Sequence, residues 1–506
     1  MSLERRALSG TVIGVVAFVM NALQTFLLVP VLLGAWGRER YGAWLALQAL
    51  VSLLAILDYG HQSYVGNELT KQYFGDRDAL RLTLSSGIWT ALSVGSVEVL
   101  IAISLGLLGL LPRALGLTPA LVHTEHLFPA LLAFAATWAV TGSIGGIVGR
   151  LFLPAGKFVR FSVWGIIARA LQSLVVAAAA FSGLHLLGTA LVLQGALIPY
   201  YVALFTDIRR QFPEIGPMYR LPSVSVGASH FGRSLILTGS NTILQLQQNG
   251  LNLLVTGALG AAALPAFATV RTVASTLFQV ANIILAPLAP EMVRFHMKGE
   301  HAKLVATVGT TWLLGGVSIQ LGMLAALPVL APAYSVWTRH ALSFDRALFA
   351  LLALAVVFRA LGFPLLTYLV SINRIKLLGV INSVQTVAVL AVAALGIHRF
   401  GLRAAGTGVL AGDVAGSFAI PFTFVARALP AADRSRFFGH SALAFVSLSV
   451  TALALFFYAQ GVAALAVCAV GVLALSPVLL AQWRHLPLEV RTRLVGMVPR
   501  LGKATS

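Results

Sequence analysis

Six ionisable side chains stand inside long apolar stretches of this sequence: Arg169, Arg271, Arg359, Asp58, Glu98 and Asp413. A guanidinium stays charged and grips phosphate oxygens through two parallel bonds, which makes Arg271, Arg359 and Arg169 candidate phosphate anchors. Their structural alternative is pairing with a carboxylate, or snorkelling towards an interface. A carboxyl in such a stretch is a candidate carrier of a proton or a sodium ion, and this nominates Glu98, Asp413 and Asp58. Their alternative is to serve as partners for the arginines. Amides form a second group. Asn241, Gln245, Gln248 and Asn252 follow an i, i+4, i+7, i+11 spacing, which is one helix face. Ser275, Gln279 and Asn282 continue the same spacing from Arg271, and Asn21 and Gln24 stand in the first stretch. Such groups suit either a polar cavity wall or hydrogen bonding between helices.

The elements that position these groups follow from composition. Of 506 residues, 58% are hydrophobic and 10% charged, with a mean hydropathy of +0.90. Soluble proteins average about 25% charged residues. The balance excludes a soluble enzyme, a disordered chain and a disulfide scaffold, and Cys468 is the single cysteine. Fourteen stretches are long enough to cross the bilayer core: about 11–36, 42–66, 83–111, 128–149, 161–183, 186–207, 234–257, 261–289, 304–330, 346–371, 376–397, 403–426, 438–459 and 462–483. Stretches of this length satisfy their backbone as helices, and they lack the ten-residue alternation of a barrel. An all-α polytopic membrane protein is expected. Arg359 falls about 20 Å into its helix by rise per residue, far from either surface.

With both termini in the cytoplasm, the internal connections hold 25 of the 35 Lys and Arg and the external ones hold 7. This bias sets the orientation and also accounts for the formal charge of +19 without nucleic acid. The Arg-, Pro- and Gly-rich connection 209–233 reads as a linker between an N-terminal lobe, 1–208, and a C-terminal lobe, 234–429. Residues 430–485 form an appended helix pair, and 486–506 a basic cytoplasmic tail suited to membrane lipids. A shift of 223 residues relates the halves. Gln24 falls on Gln247, Gly34-Ala35 on Gly257-Ala258, Gly37 on Gly260, and Glu68 on Glu291.

The stretch Val29–Gly60, VPVLLGAWGRERYGAWLALQALVSLLAILDYG, resembles the opening of the polysaccharide transporter family. The similarity lies in the Gly-rich end of the first span, the Tyr41-Gly42 turn and Asp58-Tyr59-Gly60 near the close of the second. That family, which includes O-antigen (Wzx-type) flippases, belongs to the multidrug/oligosaccharidyl-lipid/polysaccharide superfamily. The resemblance implies a MATE-like fold of two six-helix lobes plus a helix pair, in a bacterial inner membrane. It also implies a lipid-linked, undecaprenyl-pyrophosphate oligosaccharide as substrate, for O-antigen, capsule or exopolysaccharide synthesis. Polysaccharide polymerase and chain-length machinery are implied as partners. No cofactor is expected beyond H+ or Na+ coupling.

Catalytic motifs are missing from the sequence: there is no His-Glu-x-x-His, no phosphate-binding Gly-x-x-x-x-Gly-Lys and no Cys-x-x-Cys. An enzyme is therefore not expected. The competing reading is a cation-coupled multidrug or metabolite exporter of the same superfamily, which would favour an acidic, aromatic cavity.

Overall fold

Runs of twenty or more apolar residues satisfy their own backbone groups only by coiling. In the computed structural model the chain is helical throughout its long elements, with no strand among the described residues, which are 3–215, 222–285 and 288–485. The basic tail 486–506 and the side chains of Asn21 and Asn241 lie outside what is described.

The long helices are α1 (Leu3–Leu54), α2 (Ile56–Gln72), α3 (Arg77–Leu107), α4 (Leu127–Phe152), α5 (Phe158–Phe181), α6 (Leu186–Gln211) and α7 (Val224–Leu259). They continue as α8 (Ala263–Leu285), α9 (His301–Trp337), α10 (Arg346–Ser371), α11 (Ile375–Phe400), α12 (Leu402–Ala428), α13 (Ala431–Ala459) and α14 (Ala464–His485). Among the described residues ten helices are long and apolar enough to cross a membrane, or eleven if the bent pair Ala22–Leu54 and Asp58–Gln72 counts as one span. The protein is a multi-pass membrane protein.

Polar side chains mark where helices begin. Asp76 caps α3 by accepting from the Asp78 and Ala79 amides at 2.8 and 3.2 Å, and Asp345 does the same for α10 from Ala347 and Leu348 at 2.9 and 3.0 Å. The first two expected spans are joined not by a loop but by a kink inside α1, at Gly37. Gly37 has φ 70° and ψ −177°, and its repeat-related counterpart Gly260, closing α7, has φ 84° and ψ 166°. This backbone region is essentially restricted to glycine. The internal repeat thus extends from residue identity to backbone conformation.

Two compact units are present, 1–267 with 335–343, and 268–334 with 344–506. The first unit takes in α7, which the sequence groups with the second half. The reason is packing, because α7 lies along α1, α2 and α3. Its core brings together Val65 and Leu69, Leu80, Leu84 and Ile88, Val148 and Phe152, and Leu204 and Ile208, with four-residue spacings that present one face of each helix. Glu125 ties the unit further: it accepts from Arg40 Nε at 2.6 Å and from the Leu186 amide at 3.0 Å. In the second unit α10 is the most enclosed helix, packed on α12 and α13, and it carries Arg359.

Replacing Gly37 or Gly260 by alanine is expected to cost about 1–3 kcal/mol through backbone strain. Gly165→Ala, in a helix with nothing near the added methyl, should be neutral or slightly stabilising. Thermal melting of the purified variants in one detergent checks the contrast, and equal melting of all three would remove the strain argument.

Candidate functional site

In the first unit, Asp58 and Glu98 are 0% and 2% exposed and lie within electrostatic reach of each other. Asp58 Oδ2 accepts from Gln62 Nε2 at 2.6 Å and from Trp138 Nε1 at 3.0 Å, whereas Oδ1 is buried with no hydrogen bond. Ser143, fully buried, neighbours the same carboxyl. Glu98 Oε1 is also buried without a hydrogen bond. Neither carboxyl has an ion-pair partner among the described residues. An ionised carboxylate so placed is costly, and a protonated one, or one holding a cation, is not. The geometry therefore suits loading and release of a small cation.

A cavity of about 360 Å³ in the same unit is lined by Ile56, Tyr59, Gly60, Ser63, Thr242, Leu244, Gln245 and Gln248, and Asp58 directly precedes Tyr59 of its wall. Two of the amides singled out in the sequence, Gln245 and Gln248, thus share one wall with α2. Asn249 Nδ2 donates to Gln245 Oε1 at 3.3 Å and holds that amide in place. One turn further, Asn252 Oδ1 is buried without a partner. Tyr59 is 47% exposed, and its ring packs on Trp138 with centroids 5.2 Å apart. The cavity and Asp58 are therefore joined through the Trp138 indole, which touches both Tyr59 and Asp58. Gln24 is half-buried on α1. Arg169, on α5, pairs with no carboxylate among the described residues and has a buried Nε without a hydrogen bond.

The second unit treats its buried acid differently. Asp413 is 0% exposed and accepts from Arg359 Nε at 3.2 Å and Nη2 at 2.7 Å, from Gln385 Nε2 at 2.9 Å, and from Ser417 Oγ at 2.7 Å. The helices approach closely enough for this because Gly362 faces the Ser417 carbonyl, where a methyl group would sit at 1.8 Å. Arg359 thus has the carboxylate partner that the sequence left open, with 34% of its side chain still accessible. Arg271 lies within electrostatic reach of it, on the same face of α8 as Ser275 and Gln279, where Gln279 Nε2 donates to Ser275 Oγ at 3.4 Å. Asn282 Oδ1 on the same helix is buried without a partner.

Among the described residues three π-helical turns interrupt the spans, and each opens on a residue that reaches a neighbouring helix. Trp138 begins the turn Trp138–Gly142 and donates to Asp58, and Asp413 begins Asp413–Ala419 and receives Arg359. Trp312 begins Trp312–Val317 and donates to the Leu361 carbonyl at 2.7 Å. A widened turn shifts the helix register locally, and such turns gather at functional sites. Of the residues that sequence reasoning missed, Gln62 follows Asp58 by four and was findable as a helix neighbour. Tyr59 stands inside the Asp58-Tyr59-Gly60 motif, whereas Trp138 and Gln385 carried no local signal.

No protein-family model matches the chain, and no curated protein sequence matches it. Solved structures do. A multidrug-resistance MATE family transporter of the MOP superfamily, in an inward-facing conformation, aligns with TM-score 0.55 at 14% identity, covering 84% of this chain and 99% of that one. The lipid II flippase MurJ, inward closed, aligns with TM-score 0.55 at 12% identity over 96% and 99%. A Vibrio cholerae MATE transporter, VcmN, aligns with TM-score 0.53 at 14% identity over 82% and 95%. The chain has a MATE-like fold, and these structural neighbours are transporters and flippases.

Asp413→Ala should destabilise the second unit by about 3 kcal/mol, because it strands Arg359. Combining Asp413→Leu with Arg359→Met should recover most of that loss. Melting of the single and double variants decides the matter: a double variant no better than Asp413→Ala would show that the pair is not what the network depends on.

Proposed function

We propose that this protein is a flippase of a bacterial inner membrane, both termini cytoplasmic, that moves lipid-linked, undecaprenyl-pyrophosphate oligosaccharide units for surface polysaccharide synthesis. The observation that carries the proposal is the amide- and hydroxyl-lined cavity, with no charged residue in its described lining, in the same unit as two buried carboxyls that lack an ion pair among the described residues, in a fold whose solved neighbours include a lipid II flippase. Sugar hydroxyls match amides and hydroxyls, because both donate and accept hydrogen bonds. The lipid tail stays in the bilayer while the head group is carried across. No bond is made or broken in the cycle.

In this reading Arg271, Arg359 and Arg169 contact the pyrophosphate. Arg359 would do so with the edge left by Asp413, and Arg271 with a positive field strengthened by its neighbour. Asn21, Gln24, Asn241, Asn252, Ser275, Gln279 and Asn282 complete the polar surface met by the head group. Glu98 and Asp58 carry the coupling H+ or Na+, while Asp413, saturated by four donors, holds Arg359 in position. Polymerase and chain-length machinery would receive the product.

The exporter reading draws on the multidrug transporters among the structural neighbours. A cationic drug needs a carboxylate or an aromatic cage in the cavity wall. None of the eight lining residues is acidic and one is aromatic, so the cavity favours the flippase.

Reconstituted into liposomes, the protein is expected to move a fluorescent undecaprenyl-pyrophosphate-linked sugar between leaflets. Arg271→Ala should slow this at least tenfold, and Glu98→Gln should flatten its dependence on an imposed pH gradient. Movement of a cationic dye instead of the lipid would reverse the assignment; full activity in Arg271→Ala would remove the phosphate contact, and an unchanged gradient dependence in Glu98→Gln would remove that coupling role.

A further inference from the structure

Among the described residues the cavity wall carries no charge, and this narrows what part of a ligand it can hold. Its polar side chains are Ser63, Thr242, Gln245 and Gln248, and its one large aromatic surface is Tyr59. A phosphate or an ammonium group placed there would lose water without gaining a counter-charge. Hydroxyls and primary amides, by contrast, can both give and receive hydrogen bonds in any of several orientations. The volume, about 360 Å³, is at the low end of small-molecule sites, which run from about 300 to 1,000 Å³. It suits one ring better than a chain of them.

Tyr59 supplies the shape. Nearly half of its surface is open, and its other side leans on Trp138, whose indole is fixed to Asp58. The ring is therefore a supported, outward-looking plate. An aromatic face carries partial negative charge and attracts the polarised C–H edge of a sugar ring. Gln245, steadied by Asn249, and Gln248 stand across from it on α7 to meet the ring hydroxyls.

We infer that this cavity is the subsite for a single uncharged hexose or N-acetylhexosamine ring of the substrate head group, stacked on Tyr59 and held by Gln245 and Gln248. The inference rests on the flippase reading and adds a division of labour within it: the sugar is recognised in the first unit by neutral groups, and the pyrophosphate elsewhere by arginines. Tyr59 is then a specificity residue.

The test uses the full chain in lipid nanodiscs and measures binding of farnesyl pyrophosphate, bare or linked to glucose, galactose or N-acetylglucosamine. The wild-type protein should prefer at least one sugar-bearing lipid to the bare lipid by about tenfold. Tyr59→Leu should collapse that ratio to near one, and Tyr59→Phe, which keeps the aromatic face, should retain it. Gln248→Leu carries the same expectation as Tyr59→Leu and serves if the latter does not fold. A preference that survives both Tyr59→Leu and Gln248→Leu overturns the inference, as does a wild-type protein that binds all four lipids equally. A wild-type protein that binds none of them overturns the flippase reading, and the sugar subsite falls with it.

Discussion

In an apolar surround every buried charge needs a partner, and where that rule is met or left unmet organises this protein. Asp413 meets it fully: four donors from Arg359, Gln385 and Ser417 close around one carboxylate. Such a cluster resists change, since removing any member leaves another stranded. Asp58 and Glu98 leave it unmet, each with a buried oxygen lacking a hydrogen bond and neither with an ion pair among the described residues. The same physical cost that makes the first site rigid makes the second responsive, because a proton or a cation is what would relieve it.

The connection from Asp58 to the cavity is short. Trp138 donates to Asp58 with its nitrogen and supports Tyr59 with its ring, and it sits at the start of a π-helical turn. A change of charge at Asp58 would alter the strength of the indole bond, since hydrogen bonds to ionised acceptors are the stronger ones. The cavity wall would register that change through Tyr59. This gives coupling a physical route made of three contacting side chains within one compact unit.

Much of the architecture is legible in the sequence because hydrophobic length speaks directly to membrane crossing. The apolar stretches fall on the long helices, and the match of Gly37 to Gly260 returns as a shared, glycine-only backbone conformation. The amide spacing puts Gln245 and Gln248 on one face of α7, and both border the pocket that α2 and α7 enclose. What the sequence does not reveal is which helix faces which. The partner of Arg359 lies 54 residues away and the indole that donates to Asp58 lies 80 residues away, distances at which no periodicity operates. The kink at Gly37 reads as a loop because a glycine turn and a short connection look alike in composition. The grouping of α7 with the first unit depends on side-chain packing against α1, α2 and α3, which chain order does not encode.

The claim beneath all of this is that the wall formed by α2 and α7 faces water inside a membrane-embedded protein. Its most direct measure is modification by a charged, membrane-impermeant thiol reagent in a Cys468→Ala background. Gln248→Cys should react rapidly, while Leu251→Cys, 1% exposed on the same helix, should stay inert. If Gln248→Cys is as unreactive as Leu251→Cys in the folded protein, the cavity is dry and the transport account is contradicted.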